Sequence, residues 1–278
     1  SFAQGNLTGT APGTDFVKDL LGVTLKRELP ALFNDNTYTW NGNRYKLDFD
    51  FKNTQDILAW ALPGLYIADG TKLNAEINDR GRFNMVLNSQ RIAYNGNYIK
   101  DLEMNLNNND DTCSGEVSGT ELKISTLKLM DNNVKVLADN DHIGMAYRYE
   151  NSSELENRGE FILHGDLSRD EHGLAIDVKL LPSTLYLNSR EWRIRESWLT
   201  LHRDGIKSSD IELFSDDQKI RLPGGTSQAK IDTLSLDMEK FDMSVINPLF
   251  KTDLGIKGYT SGTVHLTSPM TDKGILVD

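Results

Sequence analysis

The sequence predicts an all-β protein, and three observations carry that prediction. Apolar and polar residues alternate with period two along most of the chain. Turn-forming pairs separate the alternating runs, and the runs recur at roughly ten-residue spacing. Helical patterning is confined to short stretches. With 278 residues, 38% hydrophobic and 26% charged, the chain is long enough for one large β domain or two ordinary ones with a substantial core.

Taken in order, "SFAQGNLTGTAPG" is polar and Gly-rich and carries no charged and apolar regions of a signal peptide. "TDFVKDLLGVTLKRELPALF" (Thr14 to Phe33) predicts a short helix running into a strand. Phe16, Leu20, Val23 and Leu29 mark its apolar stripe, Thr14 and Asp15 stand where a cap belongs, and Gly22, Val23 and Thr24 weaken it. After Asn41-Gly42, "YKLDFDFK" puts Tyr45, Leu47, Phe49 and Phe51 on one face and Lys46, Asp48, Asp50 and Lys52 on the other. "TQDILAWAL" (Thr54 to Leu62) predicts a second helical stretch, stopped by Pro63-Gly64.

Strand patterning then resumes, and each run again places one apolar set on one face. The sets are Phe83, Met85 and Leu87; Leu102, Met104 and Leu106; Leu127 and Leu129; Ile143, Met145, Tyr147 and Tyr149; and Leu174, Ile176, Val178 and Leu180. They continue with Leu185 and Leu187; Trp192 and Ile194; Leu199 and Leu201; Ile211 and Leu213; Ile220 and Leu222; and Leu234, Leu236 and Met238. Asn95-Gly96, Asp204-Gly205 and Pro223-Gly224-Gly225 read as turns. Pro248 limits "DMSVINPLFK" (Asp242 to Lys251) to a helical turn or two. The segments "ILAWALPGLYIADGTKLNAEI" and "VINPLFKTDLGIKGYTSGTVHL" share an order: short apolar turn, Pro, apolar pair, then a Gly-bearing strand. That echo predicts an internal repeat, with sub-repeats 1–150 and 151–278 inside a single segment spanning 1–278.

The chemistry signals are negative. A net charge of −11 weighs against a nucleic-acid partner and against adsorption to anionic headgroups through a basic patch. No apolar run is long enough for a spanning helix. Cys113, the single cysteine, sits in "NNNDDTCSGE", which reads as an exposed turn, and makes neither an intramolecular disulfide nor a Cys-rich metal site. The five histidines lack metal-ligand spacing, "NNNDD" reads as a hairpin tip, and no catalytic or cofactor signature occurs. The expectation is therefore a non-enzyme with no catalytic residue, no metal and no cofactor. Trp40, Trp60, Trp192 and Trp198 read as core residues ahead of a sugar-stacking platform. The chain ends in "GILVD", a half-finished strand, which predicts an interior fragment of a longer exported protein.

The C-terminal half is more specific. "SREWRIRESWLTLHRDGIKSSDIELFSDDQKIRLPGGTS" (Ser189 to Ser227), then "IDTLSLDMEKFDMSVINPLF" and "IKGYTSGTVHLTSPMTDKGILVD", resemble the repeat of the TamB and AsmA-like proteins of Gram-negative bacteria. "DILAWALPGLYIADGTKL" is similar to that family's Pro-Gly-Leu-x-Ile-x-Asp-Gly-Thr segment, so the resemblance covers residues 53 to 278. The repeat's closing Leu-x-Gly-Pro is here "LTSPM". The resemblance implies an elongated curled β-sheet, a half-pipe or β-taco with an apolar concave face and a few short helical turns. It implies a periplasmic segment of a protein anchored in the inner membrane. Its work would be shielding phospholipids on their way to the outer membrane, or aiding outer-membrane protein assembly through a TamA/BamA-like barrel contacted by regions outside this fragment.

On that reading the apolar sets from Tyr45 to Leu236 line a lipid groove. A 16-carbon chain would gain on the order of 10 kcal/mol in a fully closed one. About twenty strands at roughly 4.8 Å each would make a trough nearly 100 Å long. The apolar knot Trp60 to Leu73 is expected to close one lip of the trough, with Trp60, Leu62 and Leu65 packed. Two alternatives stay open: a glycan-binding or adhesive β-solenoid or sandwich module, and a sandwich-type carbohydrate hydrolase.

Overall fold

A computed structural model describes residues 3–12, 15–33, 40–108, 112–124, 127–151, 156–171, 173–202, 205–228, 233–245, 257–267 and 276–277. Strand makes up 67% and helix 11%, so the protein is all-β, built on open curled antiparallel sheet with a few short helical turns. It divides into two compact units, Ser1–Glu150 and Asn151–Asp278.

The first unit contains β1 (Ala3–Gly9), β2 (Tyr45–Phe51), β3 (Leu65–Ile67), β4 (Thr71–Ile77), β5 (Phe83–Tyr94), β6 (Asn97–Asn107), β7 (Cys113–Ile124), β8 (Leu127–Asp139) and β9 (His142–Asn151). Each pairs antiparallel with its neighbour in the order β1, β2, β4, β5, β6, β7, β8, β9. The short β3 lies on the same edge of β5 as β4 does, beside its C-terminal end. Asn95 and Gly96, both at positive φ, form the predicted two-residue hairpin turn between β5 and β6.

The predicted N-terminal helix is α1 (Phe16–Leu21), but through Phe33 it runs into further helical turns and not into the expected strand. At Gly22 the helix widens into a π turn, Gly22–Lys26, and a 3-10 turn, Pro30–Leu32, comes next. Thr24 turns its hydroxyl back onto the Leu20 carbonyl at 2.7 Å, as β-hydroxyl residues do where a helix distorts. Phe16, Val23, Leu29 and Ala31 are buried. Asp15 holds the N-cap position without a side-chain capping bond, and Thr14 lies outside the described residues. The second helix, α2 (Gln55–Ala61), stops before Pro63-Gly64 as expected.

The second unit contains β10 (Asn157–Asp170), β11 (Gly173–Leu180), β12 (Ser183–Leu187), β13 (Arg190–Ile194), β14 (Ser197–His202), β15 (Gly205–Ser208), β16 (Ile211–Ser215), β17 (Gln218–Leu222), β18 (Gly225–Gln228), β19 (Thr233–Asp242), β20 (Tyr259–Thr267) and β21 (Leu276–Val277). Of these, β11 to β18 are halves of long bent strands. β10 pairs with β12 near its start and with β11 farther on. From there β11, β14, β15 and β18 form one column, and β12, β13, β16, β17, β19 and β20 the other.

The breaks between halves fall at Leu181-Pro182, Arg195-Glu196, Ser209-Asp210 and Pro223-Gly224, and they line up as a crease across the sheet. Pro223-Gly224 is therefore a bend in a continuing strand and not the reversal its composition predicts. A side chain at Gly224 would stand 2.4 Å from the Ser209 backbone, so only glycine lets the two strands touch there. Ser183 and Ser197, just past two of the breaks, donate to the carbonyls of Leu181 and Arg195 at 2.9 and 3.0 Å. These hydroxyls satisfy backbone groups that the broken ladder leaves over.

The first unit has the same device. Asp101 and Asp131 stand at positive φ inside β6 and β8. The ladder skips Gln90 opposite Asp101 and Thr120 opposite Asp131, while the register on either side is unchanged. Each strand thus loses one step of its alternation at the same level, and its apolar residues stay on one face through the bend.

Candidate functional site

The apolar face of the first unit is a set of cross-strand rows. One runs Leu7, Leu47, Ala75, Met85, Leu106, Gly115, Val136, Met145, and the next Phe49, Leu73, Leu87, Met104, Val117, Val134, Tyr147. Beyond the crease the face continues as Ile67, Ile92, Ile99, Leu122, Leu129. Gly119 is what lets it turn the corner, because a Cβ there would lie 2.6 Å from the Ile99 side chain.

Polar residues tie the crease from within. Thr71 and Ser89, both buried, share a 2.6 Å hydroxyl–hydroxyl bond. Buried Asn132 donates to the Leu129 carbonyl at 2.8 Å and accepts from the Tyr147 hydroxyl at 2.8 Å. Burial pushes the Tyr147 phenol up to about 12.

Cover over this face is uneven. At the end formed by Tyr45, Ile77 and Phe83, α1 and the π turn pack Phe16 and Val23 onto the sheet. Tyr45, Ile77 and Phe83 retain 2, 1 and 1% of their exposure. The buried Asp19 carboxylate accepts from the Tyr45 hydroxyl at 2.7 Å and from Asn43 at 2.8 Å. Burial first, then that carboxylate, raises the Tyr45 phenol to about 12. The other end of the segment is pinned over the β8–β9 turn, where Asp141 bonds the Glu28 carbonyl and the Ala31 amide, each at 2.8 Å. By contrast Phe49, Phe51, Met85, Leu87, Met104, Leu106, Leu129, Ile143, Met145 and Tyr147 are half-buried, and among the described residues no second layer of sheet lies above them.

The second unit repeats the contrast. Leu185, Trp192 and Phe241 form a sealed cluster beside Ile194, Leu213, Ile220, Met238, Met243 and Val245. Leu174, Ile176, Val178, Leu187, Leu199, Leu201, Ile211, Leu222 and Leu236 are half-buried. Paired rows such as Leu167, Ile176, Leu201 show that they share one face.

Several expectations are corrected. Tyr45, Leu47, Phe83, Leu102, Leu185 and Trp192 are buried and so do not line an open surface. The first unit's cluster under the helical segment takes in Tyr45, Leu47 and Phe83, the second unit's cluster takes in Leu185 and Trp192, and Leu102 sits at the crease opposite buried Ser89. The side chains of Leu127 and Leu234 lie outside the described residues. Trp60 is 86% and Leu62 55% exposed while Leu65 is half-buried, so the knot does not seal a lip. Cys113 opens β7 and packs against the first unit's cluster, half-buried, and burial raises its thiol pKa. Trp192 is core, Trp40 packs on the same cluster as Phe83, and Trp198 is half exposed.

Sequence reading missed Leu73, Ile92, Ile99, Val117, Leu122, Val134 and Val136. The phase slip at the crease hides some of them, and the Gly-rich run of β7 hides Val117. A one-step slip in alternation recurring in consecutive strands is the signal that marks them. No family model, curated protein or solved structure gives a significant match to this chain.

Proposed function

We propose that the half-open apolar face carries phospholipid acyl chains, as an interior segment of a periplasm-spanning, inner-membrane-anchored protein of the TamB and AsmA-like type. The observation that carries this reading is the run of half-buried rows from Phe49 to Tyr147, apolar across seven strands with no covering layer among the described residues. A monomer seldom leaves so much contiguous apolar surface without an occupant. A 16-carbon chain lying on an open face gains roughly half the value of full burial, on the order of 6 kcal/mol before ordering costs. The charged headgroup stays in water because the face is open on one side. Such shielding needs no catalytic residue, metal or cofactor. Aid to an outer-membrane assembly barrel would fall to parts of the protein beyond this segment.

The test is photo-crosslinking in cells with the probe at Leu87, Met104, Ile176 and Leu201, and at Asn88, Glu103, Asp177 and Thr200 on the opposite face. Lipid adducts confined to the first set support the reading. Adducts at neither set, in a folded protein, would end it.

A further inference from the structure

One edge of the first unit's sheet brings exposed apolar side chains and cations together. It is formed by the β5–β6 turn and by the Pro63-Gly64 turn, which are joined where the Asn95 amide donates to the Gly64 carbonyl at 3.1 Å. Along it Trp60, Leu62, Tyr94 and Ile124 are 86, 55, 56 and 52% exposed, and alternation puts Tyr94 and Ile124 on the same face as Ile92 and Leu122. On its polar side three cations gather around Tyr98, and a fourth, Lys128, stands opposite Lys123 on the next strand. The Arg91 guanidinium lies 4.4 Å from that ring's centre and 5.9 Å from that of Tyr66. The Lys100 and Lys123 ammonium groups lie 5.5 and 5.6 Å from the Tyr98 ring.

Glu121 answers part of this charge, 2.7 Å from Lys100 and 3.6 Å from Lys128. Lys123 reaches instead to the Gly96 carbonyl at 3.3 Å, which places its charge at the tip. Asp101 and Asp131, the nearest further acids on these strands, stand at the crease, farther from the tip than all four cations.

We propose that this edge docks on a phospholipid bilayer surface, with Trp60, Leu62, Tyr94 and Ile124 at the acyl boundary and Arg91 and Lys123 on lipid phosphates. Exposed Trp and Tyr beside Lys and Arg match the two layers of a membrane interface, one apolar and one anionic. The depths agree as well. At about 3.3 Å per strand residue, Lys123 stands roughly 3 Å behind Ile124 and Arg91 about 10 Å behind Tyr94. Interfacial elements bury their apolar side by about 5–10 Å, which leaves Arg91 at phosphate level, while Lys123, nearer the tip, reaches back to that level along its long apolar stem. The overall charge of −11 does not prevent this, because screening over roughly 8 Å at physiological salt lets the local cations dominate at contact. A free phosphate would satisfy the cations but leave the apolar fringe in water. The proposal deepens the lipid-carrying reading, on which it rests for its purpose: the apolar rows run out at this edge, where lipid would load.

Flotation of the whole chain with phosphatidylcholine vesicles, with and without about a third phosphatidylglycerol, tests it. Arg91→Glu with Lys123→Glu should lower binding to the anionic vesicles by more than about tenfold, at roughly fivefold per charge, and lose that effect in high salt. Trp60→Ser with Leu62→Ser should weaken binding to both vesicle types. Wild-type protein that does not float, variants that float like wild type, or release by millimolar inorganic phosphate alone would each overturn the proposal. Acyl adducts at Leu87 and Met104 read the other question separately. Adducts without flotation leave the carrying face intact and sink the docking edge, and flotation without adducts does the reverse.

Discussion

Two stretches of one apolar face, written in the same alternating code, meet opposite fates in the first unit. Around Tyr45, Ile77 and Phe83 the face is sealed to 1–2% exposure beneath Phe16 and Val23. Farther along β5 and on the strands beyond it, Leu87, Met104, Val117, Val134 and Tyr147 are only half-buried. The difference is the segment Phe16–Leu32, which covers the first stretch and stops short of the second. Alternation selects which face is apolar; it does not say whether anything lies on top.

The largest expected effect breaks the comparison directly. Phe83→Ala should cost about 3–5 kcal/mol in denaturant unfolding, as for a buried aromatic. Met104→Ala, whose site already meets solvent, should cost about 1–2 kcal/mol. Equal losses at the two sites would mean the second stretch is as sealed as the first.

A smaller effect sharpens the role of the crease. Ser89→Ala removes one partner of the buried Thr71–Ser89 pair and should cost about 1 kcal/mol, the Thr71 hydroxyl keeping its bond to the Ala68 carbonyl. Pairing it with Thr71→Val should recover part of that loss, since both polar groups are then gone. A double variant as unstable as the sum of the singles would argue against the bond's role in holding the bend.

The smallest effect is a pH response at the exposed edge. Bonds from Lys100, then from Tyr98, hold the Glu121 carboxyl down to about 2. Its folded pKa is depressed below the ordinary 4.5, so its contribution is complete above that value and fades as pH falls toward 2. Exposure and solvent screening keep the contribution small. Lys100→Gln should move the carboxyl toward its ordinary range, followed by NMR titration of Glu121. An unchanged midpoint would mean that the lysine bond does not form in solution.

Much of the fold was legible because strand residues betray themselves locally. The runs at Tyr45–Phe51, Leu102–Leu106 and Leu174–Leu180 all become strands with the expected face apolar, and α2 ends at Pro63-Gly64 where the ring and the glycine require. The crease was not legible, because the slip at Gln90, Asp101, Thr120 and Asp131 makes sense only once those residues stand side by side. Trp60 and Leu62 misled for a related reason. An apolar knot in sequence suggests packing, yet these two side chains face solvent.

By itself the sequence determined the all-β class, the strands and the apolar side of each, because side chains alternate across a strand with a period of two and a wrong register would expose the whole set. Only the tertiary structure decided which rows are sealed and which stay open, where the sheet bends, and that aromatic and cationic residues from four strands and a helix meet at one edge. Those outcomes depend on contacts between residues far apart in the chain, such as Asp141 with Ala31 and Val23 with Phe83, and no local pattern encodes them.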